Sequence, residues 1–128
     1  MMPAMKIVTI IARLLLGLAF TVFGLNFFLN FIPAPPPEPG FAGDFFKVFV
    51  GSGYAHVIGA VQLLCGLLLL AGRFVPLALT ILAGTIFNIL VFHILMAPAA
   101  IGPGIVVALL EIFLIWSYRD RFAGIVRP

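Results

Sequence analysis

The sequence predicts an all-α polytopic membrane protein: a bundle of four transmembrane helices with both termini on the cytoplasmic side. Three observations lead there. Of the 128 residues, 64% are hydrophobic and 9% are charged, and the mean hydropathy is +1.31. Soluble domains run at about 45–50% apolar and about 25% charged. A chain this short has too little interior to hide so much apolar surface from water, so lipid is its solvent. That excludes a soluble enzyme, a nucleic-acid-binding domain and a disordered tail. Second, the apolar residues fall into four runs of roughly 15–25 residues, near the ~20 that cross ~30 Å of hydrocarbon. None alternates as a membrane β-strand does, and backbone groups in lipid must pair within the span, so the runs are helices. Third, the charges are one-sided. Lys6, Arg73, Arg119, Arg121 and Arg127 fall at one end, and Lys47 with Glu38 and Asp44 at the other. Short basic loops stay in the cytoplasm.

The first span covers residues 6–30. Arg13 interrupts its apolar run and no small-x-small cleavage site follows before Asn26, so it reads as a retained helix and not a signal peptide. Arg13, Gly17, Thr21 and Gly24 recur at three- and four-residue spacing as a small, polar stripe suited to close helix contact. Residues 31–53 form the outer loop. It opens with a Pro-rich stretch, residues 32–40, that should be extended and stiff. Phe41, Phe45, Phe46 and Phe49 follow, with Asp44 and Lys47, and predict a short helix at the outer interface: a lipid anchor, or a lid over an outward-facing pocket. The second span, residues 54–71, carries Gly59 and Gly66 seven apart. A tight turn, Ala71-Gly72-Arg73, leads into the third span, residues 74–96. Pro76 falls in the first turn of that helix, where its missing N–H costs little, so these two spans form an antiparallel hairpin. Pro76, Thr80, Gly84 and Asn88 make a second small, polar stripe. All three stripes are expected to meet inside the bundle. The fourth span, residues 102–118, is the shortest; it closes on Trp116 and Tyr118 as an interfacial aromatic belt, before a tail of residues 119–128. No inverted repeat relates the halves, which counts against a secondary transporter.

Ionisable and amide groups inside apolar helices are costly and need partners. At 1.5 Å per residue, Arg13 and Glu111 both lie roughly 10 Å from the cytoplasmic face, with Gln62 only a little deeper. The expected inner layer is an Arg13–Glu111 ion pair with Gln62 beside it. Such a layer either fixes helix order or serves a proton or quinone site. The alternative is that Arg13 snorkels to the headgroups. An outer layer holds Asn26, Asn30, His56, Asn88 and His93, candidates for holding a quinone head group. His56 and His93 differ by ~5 Å of depth and should face the bundle, because a lipid-facing imidazole lacks a partner. Two histidines so placed suit a haem or a chlorophyll magnesium, but there is no third ligand and no C-x-x-C-H, so no metal is expected. The single cysteine, Cys65, excludes an internal disulfide and reads as a packed small hydrophobe.

The segments Ala12-Arg13-Leu14-Leu15-Leu16-Gly17 and Phe23-Gly24-Leu25-Asn26-Phe27-Phe28 resemble the first helix of the DoxX family of small membrane proteins. Gly59 and the run from Gln62 to Leu70, then Arg73-Phe74-Val75-Pro76-Leu77-Ala78-Leu79 and Asn88-Ile89-Leu90-Val91-Phe92-His93-Ile94, are similar to its second and third helices. The resemblance covers nearly the whole chain. It implies a four-helix bundle, expected in a bacterial inner membrane. Some DoxX and DoxD relatives are associated with thiosulfate:quinone oxidoreduction, and others accompany redox or superoxide-handling partners. The implied function is therefore a quinone-linked redox accessory subunit of a larger membrane complex. Its candidate cofactor is a quinone, and its partners are lipid and other membrane subunits or further copies of the chain, with no nucleic acid. The alternatives are a non-enzymatic assembly or scaffold subunit, and a small-molecule or proton carrier built on Arg13, Gln62 and Glu111. Many members carry a glutamate where this chain has Gln62, and Glu111 is the candidate to supply that carboxylate from the fourth helix. No catalytic residue is legible, and whether the chain is an enzyme stays open.

Overall fold

The computed structural model describes residues 3–32 and 39–126. Most of the Pro-rich stretch expected to be extended lies outside the described residues. Apolar chain with no water to pair its backbone must pair it internally. The result is 89% helix and no strand among the described residues. The helices are α1 (Pro3–Leu29), α2 (Phe41–Gly51), α3 (Tyr54–Ala71), α4 (Val75–Met96), α5 (Gly102–Ser117) and α6 (Ala123–Val126). Short 3₁₀ turns, Pro98–Ala100 and Arg119–Phe122, flank α5.

α1, α3 and α4 are each long and apolar enough to cross a bilayer. α5 has 16 residues, about 24 Å at 1.5 Å per residue, short of ~30 Å of hydrocarbon. It qualifies as a span only together with Arg119–Ile125, beyond an 80° bend. The chain therefore has three or four membrane-spanning helices. Arg119 marks the bend: its guanidinium donates to the Trp116 carbonyl at 2.9 Å and lies 4.7 Å from the Trp116 ring centroid. A cation stacked on an indole is an interfacial arrangement.

The closest helix pair is α1 with α3. Lipid tails are as apolar as leucine, so helices in a bilayer associate through close packing and not through hydrophobic burial. Small residues make that packing possible here. A Cβ on Gly24 would fall 2.6 Å from the Leu63 nitrogen, and one on Gly66 would fall 2.6 Å from the Thr21 nitrogen. Gly17 meets Gly66 and Gly24 meets Gly59, so the two helices run antiparallel. Thr21 is free to sit in this contact because its hydroxyl donates to the Gly17 carbonyl in its own helix, at 2.7 Å.

α4 packs on α3, and α5 packs on both α4 and α1, which closes the ring of four. The α3–α4 turn depends on Gly72, whose φ of 70° suits a residue without a Cβ. Thr9 of α1 donates to the Ser117 hydroxyl at 3.2 Å, joining the start of α1 to the end of α5. Leu16, Phe20, Leu69, Leu79, Leu82 and Leu114 are sealed inside.

One of the three stripes lies off the buried face of its helix. Val75, Ala78, Leu79, Leu82 and Ile86 take the buried face of α4, and Thr80, Gly84 and Asn88 are exposed, Gly84 and Asn88 at the edge of the cavity described below. Thr80 and Asn88 donate to the carbonyls of Pro76 and Gly84, four residues back. The Thr80 hydroxyl and one Asn88 N–H are thereby met within their own helix.

Candidate functional site

The half of the bundle near the α3–α4 turn is filled by leucines. Towards α2, the positions that would fill it are Gly84, Thr85 and Gly104, and the helices border a half-open cavity of about 820 Å³. Phe20 and Phe23 of α1, Ile58 of α3, Ile81 of α4 and Val107 of α5 line it. Its cover is α2. The Phe45 and Phe46 rings lie 5.0 and 5.1 Å from Phe92 of α4. Phe49 lies 5.9 Å from Phe27 of α1 and 5.7 Å from Tyr54 of α3. α2 turns this aromatic face to the bundle, while Asp44 and Lys47 stay exposed. Gly53, with φ of 85°, lets α2 turn directly into α3.

Polar side chains also border this apolar space: the hydroxyls of Ser52, Tyr54 and Thr85, and Gln62, His93, Asn88 and Asn26. Gln62 of α3 is 5% exposed and lines the cavity, and its Oε1 has no hydrogen-bond partner among the described residues. His93 of α4 holds its Nδ1 2.8 Å from the Ile89 carbonyl. A carbonyl only accepts, so Nδ1 carries the hydrogen and donates, and Nε2 of the neutral ring is left with a lone pair. The Asn88 Nδ2 donates to the Gly84 carbonyl at 2.9 Å. The Asn26 Oδ1 accepts from the Ile32 N–H at 2.8 Å, which ties down the exit of α1.

Gln62, assigned from sequence to the inner layer, thus shares one cavity with Asn26, Asn88 and His93 of the outer layer. The other candidates lie elsewhere. His56 is exposed, with its ring 5.3 Å from Phe28 and outside the cavity, contrary to the expectation that it faces the bundle. Ala55, Gly59 and Gln62 occupy the inward face of α3, and His56 is one residue, ~100° of helix rotation, away from it. Asn30 is exposed and ends α1 with φ of 51°, the left-handed conformation that asparagine tolerates at helix ends. Its task there is local.

The expected Arg13–Glu111 pair does not form. Both Glu111 oxygens and the Arg13 Nε are buried without a hydrogen-bond partner among the described residues. The Arg13 guanidinium runs instead to the α3–α4 turn, where a Cβ on Gly72 would fall 3.0 Å from Nη1. A long cationic side chain gains more by reaching the end of the bundle than by staying in its apolar middle. Glu111 stays behind at 3% exposure. It is one turn along α5 from Val107, which lines the cavity, so it sits just beyond the cavity floor. Cys65 is 1% exposed and packed in the core. Among the described residues, no group of three or more His, Cys, Asp or Glu side chains is placed to hold a metal ion.

Reasoning from sequence missed the cavity wall: Phe20, Phe23, Phe27, Phe92 and Thr85. In an apolar helix a phenylalanine that faces a cavity has the same sequence signature as one that faces lipid. The available signal was the aromatic content of 13% with 14 phenylalanines, concentrated towards the α2 end.

No curated protein and no solved structure matches the chain. The DoxX family model matches residues 8–95, from the first turns of α1 almost to the end of α4. That match spans well over half the chain and includes Gln62, Asn26, Asn88 and His93, though not Glu111. The chain belongs to the DoxX family.

Proposed function

We propose that this protein is a quinone-linked redox accessory subunit of a larger complex in a bacterial inner membrane. The reading places both termini in the cytoplasm and the α2 cover outside, and has a quinone-type ring occupying the cavity. The observation that carries it is the cavity itself. At about 820 Å³ it is within the roughly 300–1,000 Å³ of small-molecule sites, with the same character of apolar wall and few polar groups. The residues suit a lipid-soluble ring. Phenylalanine faces would stack on it, and Gln62, Asn88 and His93 would meet its polar substituents. The ring would carry electrons and protons when bound; the chain's part is to hold it and exclude water.

The test is a quinone count. Protein purified in mild detergent should carry extractable quinone at near-stoichiometric levels, together with any membrane partner. Gly84 lines the cavity, and a Cβ there meets nothing within 4 Å. Gly84→Trp should therefore fill the space without disturbing the helices and should purify without quinone. Equal quinone in both preparations would remove the ligand from the cavity.

One observation favours the carrier reading. A buried carboxyl with neither oxygen partnered, Glu111, is a group that a transported proton could use. Proton uptake into proteoliposomes that is lost in Glu111→Gln would favour that reading over a redox subunit.

A further inference from the structure

On the reading that the cavity holds a quinone-type ring, we propose that its ligand is a tailed lipid that enters and leaves sideways: the ring lies inside, and its apolar tail runs out to the bilayer through a gap between α3 and α4, past Gly84. The cavity is half-open, and the position of Gly84 shows where it opens. The buried face of α4 is Val75, Ala78, Leu79, Leu82 and Ile86. Gly84 is two residues from both Leu82 and Ile86, roughly 200° round the helix from each, so it points almost directly away from that face. It is exposed, yet it lines the cavity. The cavity therefore continues round the flank of α4 to the lipid side. The other residues fix which flank. Ile89 and Leu90 lie on the side of α5, 3.4 and 3.5 Å from where a Cβ on Gly104 would fall. Ile81, Thr85 and Asn88 form a separate stripe that also lines the cavity, and Ile81 and Asn88 are exposed. On α3, Gly59 and Gly66 face α1, while Tyr54 and Ile58, four apart, turn to the cavity. The gap is bounded by Tyr54 and Ile58 on one side and by Ile81, Gly84 and Asn88 on the other.

The other ways out are filled. Towards the Gly72 turn, Leu69, Leu79, Leu82 and Leu114 plug the bundle and are fully buried. The α1–α3 seam closes on backbone at Gly24 and Gly66, and the α4–α5 seam closes at Gly104. Above, Phe45 and Phe46 rest on Phe92, and Phe49 rests on Tyr54, so α2 bridges α4 and α3 and roofs the gap. The α1–α5 seam presents the ring of Phe23 to the cavity; at Gly84 there is no side chain, and a Cβ would meet nothing within 4 Å. Depth then names the class of ligand. Gly84 is nine residues beyond Val75, the start of α4, roughly 14 Å along the helix and so near the middle of ~30 Å of hydrocarbon. Gln62, ten residues before Gly72, lies at the same level, buried and with its Oε1 unpartnered among the described residues. A ring between Gln62 and the α2 phenylalanines has its tail opposite an exit that opens into lipid. A tail sent past α2 would set its CH₂ groups in water, at a cost that grows with every carbon. A tail leaving at Gly84 stays in surroundings as apolar as itself. The site accordingly takes a ring resident in the bilayer, with an apolar tail of any length.

The test uses the full-length protein in nanodiscs with two probes that share one para-benzoquinone ring, one without a tail and one with a short isoprenoid tail. Affinities are measured by calorimetry and expressed against each probe's mole fraction in the bilayer, which removes the stronger partitioning of the tailed probe. The variant is Gly84→Leu. Its Cβ enters open space, so the helices stay in place while the exit narrows. The ratio of tailed to tailless affinity should fall at least tenfold from wild type to variant. A diazirine on the first isoprene unit of the tailed probe should mark Tyr54, Ile58, Ile81, Gly84 or Asn88 in the wild type. Two affinities that fall together, or that both stay unchanged, take the tail away from Gly84 and overturn the proposal. Marking of Phe23 and Pro103 instead moves the exit to the α1–α5 seam and overturns it as well. In each of these outcomes the ring still binds the wild type and the cavity reading stands. Binding of neither probe to the wild type overturns the proposal and the cavity reading together.

Discussion

Arg13 and Glu111 have matching depth on paper, and only their side chains decide whether they meet. The arginine has a long flexible stem that reaches Gly72; the glutamate is held among Val107, Leu114 and its neighbours on the inward face of α5. Residue depth is legible in a sequence because helix rise is constant, whereas rotamer choice depends on where the bundle ends. The same limit explains Gln62 and His56. Both are rare polar groups in apolar helices, and only the packing of α3 shows that one faces the cavity and the other does not. The absent pair has a thermodynamic consequence. Arg13→Gln and Glu111→Gln should be additive, with a coupling below about 0.5 kcal/mol in a double-mutant cycle, whereas paired groups couple by up to about 3 kcal/mol. Glu111→Gln alone should melt no lower than wild type, because it removes a carboxyl that has no counter-charge to lose. Thermal unfolding in detergent reads both. A strong coupling, or a large loss from Glu111→Gln, would show the pair to be real.

Among the elements, α1 and α3 are held together by missing side chains. The Gly17, Thr21 and Gly24 stripe was legible as spacing, and so were Gly59 and Gly66. The Pro76, Thr80, Gly84 and Asn88 stripe on α4 has the same signature but lies off the buried face of that helix, and Gly84 and Asn88 border the cavity instead of a neighbouring helix. Spacing finds a stripe; it does not say whether a neighbour lies against it. Two alanine substitutions separate the cases. In Gly66→Ala the new Cβ would collide with the Thr21 backbone, at a cost of about 1–3 kcal/mol as for an overpacked core. In Gly84→Ala it meets nothing within 4 Å, and the helix gains up to about 1 kcal/mol from the better helix former. Melting temperatures should therefore move in opposite directions. A loss at Gly84 as large as that at Gly66 would mean that α4 buries its stripe against a partner.

For the molecule as a whole, the class was legible from composition alone: 64% hydrophobic residues in a chain of 128 leave few architectures other than a membrane helix bundle. The shortness of the fourth span was also legible, whereas the 80° bend after α5 and the walls of the cavity were not, because they depend on how four helices of unequal length share one ring. The proposed sidedness of that ring rests on the basic residues. An impermeant maleimide should label Lys47→Cys in intact cells and should label Asp120→Cys only after lysis; the reverse pattern would invert the molecule. The central claim is that a quinone-type ring occupies the space between α2 and the bundle, and photolabelling tests it most directly. A photoreactive quinone analogue, irradiated with the protein in nanodiscs and located by peptide mass spectrometry, should label peptides containing Phe45, Phe49, Phe92 or His93. Excess unmodified quinone should suppress that labelling. Labelling confined to lipid-facing residues of α5 such as Leu109 and Ile112, insensitive to competitor, would contradict it.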